Sequence, residues 1–311
     1  MEKEIKILSI NVSEKKGTLK HSINSCNITN LGIESDAHSG LWHRQISLLS
    51  KESIDLFSSK TGREYSPGEF AENLTVQGMI LKECNIGDIF YNSSVEFMVT
   101  QIGKSCHGGG CAVYTQTGSC VMPKDGIFTK VIKPGKLSSG DILYYKPTTV
   151  KIAVITLSNR ASSGEYPDIS GPKIISLLEQ HYKNNNRQFT ISYHLIPDNE
   201  KELSFIIDKY IKESYDFIVT TGGTGIGVND ITPEVIKPKL QKEIPGIMEH
   251  IRVKYGANLS SALVSRGVCG IIDNTFIATI PGSVKGSQEY ITEITPHLEH
   301  IYRMLRGIDA H

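Results

Sequence analysis

Residues 218–234 read IVTTGGTGIGVNDITPE. An apolar run with the character of a buried strand opens into a loop of four glycines and ends on one carboxylate, Asp230, ahead of Thr232-Pro233-Glu234. In an open parallel sheet, ligands sit outside the carboxyl ends of the strands. Glycines at such an end let main-chain N–H groups converge on a phosphate with no Cβ in the way, and the helix start that follows adds partial positive charge. The loop is therefore shaped for a phosphorylated ligand. It is not a P-loop, because the Gly-Lys-Ser/Thr ending is missing. Nor is it a dinucleotide fingerprint, which belongs to the first strand–helix turn of such a fold. Taken alone, the same residues also fit a glycine-rich turn in which Asp230 caps the helix beginning at Thr232.

The neighbouring sequence supplies the sheet. From Lys151 onward strands alternate with helices: KIAVITLS (151–158), GPKIISLLEQHY (171–182), FTISYHLI (189–196), EKELSFIIDKYIKES (200–214), DFIVTTGG (216–223) and NTFIATIPG (274–282). Residues 234–246 read as an interrupted helix and 283–305 as a long amphipathic one. In 171–182, Ile174, Leu177, Leu178 and His181 recur at helical spacing, and Pro172 suits a first turn. Fully apolar strands alternating with helices predict a mostly parallel sheet covered by helices on both faces.

The first half differs. IKILSINVS (5–13), RQISLLS (44–50), SVEFMVTQIG (94–103) and GDILYYKP (140–147) are short apolar or alternating runs divided by Gly, Pro and Asn. They predict a mainly β barrel or sandwich with one short helix around residues 50–62. The change of character near Pro147 puts two domains at 1–147 and 148–311, as a length of 311 residues allows.

Composition narrows the function classes. With 33 basic and 33 acidic side chains, the chain has no general attraction for nucleic acid or an anionic membrane, so neither is expected as a partner. No apolar run approaches the ~20 residues needed to span a bilayer. The opening residues lack a signal-peptide core, and the chain reads as cytoplasmic.

A second acid, Asp198, follows Ile196-Pro197 at another strand end. By itself it fits a helix N-cap. Two acids at neighbouring strand ends beside a phosphate-shaped loop suit Mg²⁺, which takes one or two carboxylates plus phosphate oxygens. Of 6 cysteines, three fall within residues 106–120. Cys106 and Cys111 have a spacing compatible with zinc or iron–sulfur, though Cys120 and His107 would complete an irregular set. Cys106, flanked by Lys104, His107 and glycines, is the best candidate for a reactive thiolate. Cys26, Cys84 and Cys269 read as buried apolar thiols.

Five stretches carry a family likeness: TLSNRASSGEYPD (156–168), LIPDNE (195–200), TTGGTGIGVNDITPE (220–234), LVSRGVCG (263–270) and TIPGSVKGSQE (279–289). In this order they resemble molybdopterin adenylyltransferases, the MogA/MoaB proteins and gephyrin-type domains, across residues 151–311. The resemblance implies a trimeric or hexameric α/β protein that transfers AMP from ATP to the terminal phosphate of molybdopterin. It implies that Asp198 and Asp230 are catalytic and hold Mg²⁺ and the triphosphate. Gly222, Gly223, Thr224 and Gly225 match the nucleotide loop. Ser265, Arg266, Pro281, Gly282 and Ser283 match stretches lining the pterin end. Two departures stand out: Asn159 occupies a position that is commonly acidic, and IPGSVKG lacks a second proline.

In the first half GIESDAHSGLWHRQISLL (32–49), SPGEFAENLTVQG (66–78), NIGDIF (85–90) and VTQIGKSC (99–106) resemble the MOSC domain. That likeness implies a module that binds the finished molybdenum cofactor and handles sulfur through Cys106. His38, His43, Glu69, Glu72 and Asn73 would line its anion- and metal-bearing pocket. Both likenesses point to one small molecule, and hence to a bifunctional protein of molybdenum or tungsten cofactor biosynthesis, with metal-insertion proteins or molybdoenzymes as expected partners. Two alternatives are a non-catalytic pterin carrier and an oligomeric scaffold. A carrier would release no pyrophosphate from ATP, and a scaffold would have no use for Asp198 and Asp230.

Overall fold

A computed structural model describes residues 3–16, 18–105, 114 and 120–308. The chain divides into two compact units, the first running through Thr148 and the second spanning Thr149–Gly307.

The first unit is a barrel-like β structure. Its strands are β1 (Lys3–Val12), β2 (His21–Ile23), β3 (Ser25–Thr29), β4 (Gly32–Ile33), β5 (Ile46–Ser50), β6 (Leu74–Gln77), β7 (Ile89–Tyr91), β8 (Glu96–Ile102), β9 (Ile127–Lys133), β10 (Gly135–Ser138) and β11 (Ile142–Lys146). The main sheet runs β11-β7-β8-β9-β5-β6-β1-β2, and an additional β11–β1 pairing closes it on itself. Closure removes the exposed edges that an open sheet would have to protect. Ile5, Ile7, Phe97 and Val99 point into one core by strand alternation, and Ile28 and Ile33 of the small β10-β3-β4 sheet join it. The expected short helix is Lys51–Thr61, capped by the Ser50 side chain at its start and closed by Gly62 in a left-handed conformation.

The second unit is α/β. Its strands are β12 (Val150–Leu157), β13 (Phe189–Ile196), β14 (Phe217–Thr221), β15 (Lys242–Glu243), β16 (Cys269–Ile272) and β17 (Thr275–Ile280), in the order β13-β12-β14-β17-β16-β15. The first four are parallel, and β16 and β15 are antiparallel additions at one edge. Alternate residues of β12 divide between two cores. Ile152 and Val154 pack with the helices Ser170–Asn184, Pro245–Gly256 and Val284–Leu305. Ala153 and Ile155 pack with the helix Glu200–Lys212. Among the described residues, no helix is long and apolar enough to cross a membrane.

Residues 234–246 differ from the expected interrupted helix. The helix Thr232–Ile236 gives way to a 3-10 turn over Lys237–Lys239, which contains Pro238, then to β15, and a new helix starts at Pro245. Pro238 lacks the N–H needed to continue a helix, and edge pairing with β16 captures the freed segment.

Candidate active site

The parallel register aligns the carboxyl ends of four strands. Leu157 pairs with Ile196, Thr156 with Thr221, and Thr221 with Ile280. Ser158, Pro197, Gly222 and Pro281 therefore leave the sheet at one rim. β12 lies between β13 and β14, so successive connections run to opposite sides of it. Such a switch point opens a crevice outside the strand ends. A cavity of about 890 Å³ occupies this rim, and Asp198, Gly222, Gly223, Thr224, Gly225, Asp230, Ser265, Pro281, Gly282 and Ser283 all line it. Ten of the residues singled out in sequence thus come together.

The glycine loop has a physical need for two of its glycines. Gly222 has φ 101°, and a Cβ there would stand 2.2 Å from the Leu157 carbonyl oxygen. Gly223 has φ 62°, and its Cβ would stand 2.5 Å from Thr232 Oγ1. Thr232 closes the loop by donating its hydroxyl to the Gly222 carbonyl at 2.8 Å and its N–H to that of Gly223 at 3.0 Å. Among the described residues the amides of Gly223, Thr224 and Gly225 donate no hydrogen bond, which leaves three adjacent main-chain donors at the cavity wall.

The two acids reach the same space from different strands. Asp198 Oδ2 accepts the Asn159 N–H at 3.1 Å, and Asn159 Oδ1 accepts the Asp198 N–H at 3.0 Å. Burial lifts the Asp198 carboxyl above the usual range, and the charge of Asp230 pushes the same way against the Asn159 bond. Asp230 Oδ2 accepts the Gly227 N–H at 2.7 Å. Among the described residues no group of three or more His, Cys, Asp and Glu side chains converges on a metal position, so the acids stand as a pair. Two carboxylates beside a phosphate cradle are a donor set that fits Mg²⁺, whose remaining positions are filled by water and phosphate oxygens.

The other predicted residues divide. Ser265 Oγ is buried and, among the described residues, has no partner. Ser283 caps the helix Val284–Leu305 by accepting the Gly286 N–H, so the positive end of a 22-residue helix meets the cavity. Arg266 stands outside the lining. Its Nε donates to the Gly225 carbonyl, its Nη2 to that of Asp230 at 2.8 Å, and Nη1 pairs with Glu234. The guanidinium is spent on bracing the glycine loop from behind. Asp168 was missed in sequence. It lines the cavity and accepts from Thr156 Oγ1 at 2.8 Å, Tyr193 OH at 2.6 Å and the Ser170 N–H at 2.9 Å, tying β12, β13 and the next helix together. An Asp just ahead of a Ser-Gly-Pro helix start was the available signal.

In the first unit Cys106, with His107 and Cys111, lies outside the described residues. Glu72 and Asn73 are buried within the barrel wall. Glu72 accepts the Gly68 N–H and the Thr75 hydroxyl, each at 2.7 Å, and burial pushes its carboxyl up. Asn73 receives Ser47 N–H and Oγ and donates to the Asn11 carbonyl. Glu69 pairs with Arg63. His38 Nδ1 lies 3.3 Å from Lys20 Nζ, and His43 Nε2 lies 3.0 Å from Gln101 Oε1.

Comparison with known proteins places family likenesses on both units. Residues 153–300 match the model of a probable molybdopterin binding domain, and residues 35–144 match the MOSC domain. A molybdopterin adenylyltransferase of Helicobacter pylori is 33% identical over 163 residues, covering 51% of this chain and 89% of the relative. Gephyrin of Dictyostelium discoideum is 35% identical over 163 residues, 50% of this chain, but the chain spans only 22% of gephyrin's length. Among solved structures, a tungsten cofactor synthesizing protein MoaB from Pyrococcus furiosus shares 33% identity, with 51% of this chain and 99% of that one covered and a TM-score of 0.46.

Proposed function

We propose, for a chain that belongs to the molybdopterin adenylyltransferase family and carries a MOSC domain ahead of that unit, that the second unit adenylates molybdopterin. The observation that carries this reading is the meeting of three undonated loop amides with two carboxylates at one strand-end cavity. In the reaction an oxygen of molybdopterin's terminal phosphate attacks the α-phosphorus of ATP. The bond from that phosphorus to the α–β bridging oxygen breaks, and pyrophosphate leaves with the electron pair.

Two anions must meet for this to happen, so charge and orientation dominate the barrier. The amides of Gly223, Thr224 and Gly225 offer donors to the triphosphate. The Ser265 hydroxyl and the Ser283-capped helix start offer a second anion seat for the pterin phosphate. Asp198 and Asp230 would hold Mg²⁺, which supplies Lewis-acid neutralisation of phosphate charge when bound. Arg266 and Thr232 act on the loop's shape. The first unit would bind, sulfurate or transfer the molybdenum cofactor with Cys106 as its thiol, and the chain would work as a trimer or hexamer.

Asp230→Asn tests the reading, because an amide keeps an oxygen for the Gly227 N–H and removes only the charge. Pyrophosphate release from Mg·ATP and molybdopterin should fall by about 10²-fold, with the thermal melt unchanged. Near-normal turnover would remove Asp230 from the chemistry. The neutral Asn159 favours a second reading, a pterin carrier with an idle adenylation site. That protein would bind molybdopterin and release no pyrophosphate.

A further inference from the structure

The proposed reaction brings a triphosphate to a cavity whose own charges oppose it. Among the described residues that line it, the charged side chains are Asp168, Asp198, Asp230 and Glu289 against Arg160 and Lys285. The glycine loop, residues 222–230, carries no Lys or Arg, so it lacks the cation that a P-loop brings to its phosphates. Arg266 is spent behind that loop on the Gly225 and Asp230 carbonyls and on Glu234. Lys285 Nζ lies 3.9 Å from Glu289 Oε1 on its own helix. Arg160 is left over: among the described residues its guanidinium has no carboxylate partner.

Its place follows from the topology. Arg160 belongs to the short helix Asn159–Ser162, which leaves the carboxyl end of β12. β12 lies between β13, whose end leads to Asp198, and β14, whose end leads to the glycine loop. The residue before it, Asn159, exchanges two hydrogen bonds with Asp198. Arg160 therefore leaves the sheet between one acid and the phosphate cradle, and it lines the cavity they share. Its guanidinium carbon stands 5.1 Å from the ring centre of Tyr166, another lining residue. Tyr166 is held in turn, with its hydroxyl 3.1 Å from Ser158 Oγ. An aromatic face steadies a guanidinium without consuming its N–H donors.

We infer that Arg160 is a catalytic residue of the adenylyl transfer and donates to the β- and γ-phosphate oxygens of ATP. This rests on the adenylation reading. When the bond from the α-phosphorus to the bridging oxygen breaks, the electron pair goes to pyrophosphate. The guanidinium meets the group that gains that charge, where a fixed donor lowers the barrier most. Its planar fork matches two phosphate oxygens, and it stays charged at any working pH. AMP lacks both of the phosphates concerned, so Arg160 distinguishes ATP from AMP.

Full-length wild type, Arg160→Gln and Arg160→Lys are compared by isothermal titration with ATP and with AMP, each with Mg²⁺, and by pyrophosphate release with molybdopterin. In Arg160→Gln the affinity for ATP should fall about tenfold and turnover at saturating ATP about 10²-fold. Its affinity for AMP and its thermal melt should stay those of the wild type. Arg160→Lys, which keeps the charge and loses the fork, should recover part of both losses. An unchanged affinity for ATP in Arg160→Gln overturns the contact. Equal losses for ATP and AMP overturn it too, because they make Arg160 a brace of the cavity wall. Weaker ATP binding with wild-type turnover at saturation overturns the catalytic role. A wild-type chain that binds ATP and releases no pyrophosphate fails the adenylation reading itself, and the comparison of ATP with AMP still decides the Arg160 contact.

Discussion

Gly225→Ala separates the shape of the loop from its stability. Gly225 sits at a φ open to any residue, unlike Gly222 and Gly223. A methyl group there would stand 2.7 Å from Asp230 Oδ2 and 3.3 Å from its Cγ. Reaching an ordinary contact of 3.4 Å requires the carboxylate to retreat by about 0.7 Å, off the Gly227 N–H that now holds it. Misplacement on the order of 1 Å in a reacting constellation costs about 10²-fold in rate. The unfolded chain loses entropy when Gly becomes Ala, which stabilises the fold by about 0.4–1 kcal/mol where the backbone is compatible. The variant should therefore melt at or slightly above the wild-type temperature while pyrophosphate release falls by about 10²-fold. Gly222→Ala is the contrast. At φ 101°, with a Cβ 2.2 Å from the Leu157 carbonyl oxygen, it should lower the melting temperature as well. Turnover near the wild-type rate in Gly225→Ala would refute the claim that the position of Asp230 over the loop matters to the reaction.

Two further predictions concern charge. Asn159→Asp keeps an oxygen for the Asp198 N–H and adds a carboxylate next to that of Asp198, so affinity for Mn²⁺ read by electron paramagnetic resonance should rise about tenfold. An unchanged affinity would show position 159 to be out of the cation's reach. Glu72→Gln should stabilise the chain against denaturant near pH 8. The folded-state pKa of Glu72 is raised by burial, so its contribution to stability is complete below the unfolded value of about 4.3 and is lost as pH rises through the folded value. The advantage of Gln must therefore shrink as pH falls toward 4.3, and an advantage independent of pH would mean that Glu72 ionises freely in place.

Much of the second unit was legible because its signals are local. The unbroken apolar run of β12, the helical spacing of Ile174 and Leu178, and the glycines at the end of β14 each follow from backbone geometry within a few residues. The strand β16 escaped although Cys269–Ile272 is apolar and is joined to β17 by Asp273 and Asn274, with Asp273 at φ 51°. That pair is a hairpin turn signal that was available to read.

By itself, the sequence determined a parallel sheet with a bare phosphate-shaped loop and an acid at each of two strand ends, because each of those features is written in a short run of residues. Tertiary structure alone decided that Arg266 braces the loop from behind, that Glu72 and Asn73 face inward as bonds of the barrel, and that Asp168 ties three elements together. These are questions of which donor meets which acceptor across strands distant in the chain. A side chain's chemistry is fixed by its type, but its partner is fixed only when the sheet has closed.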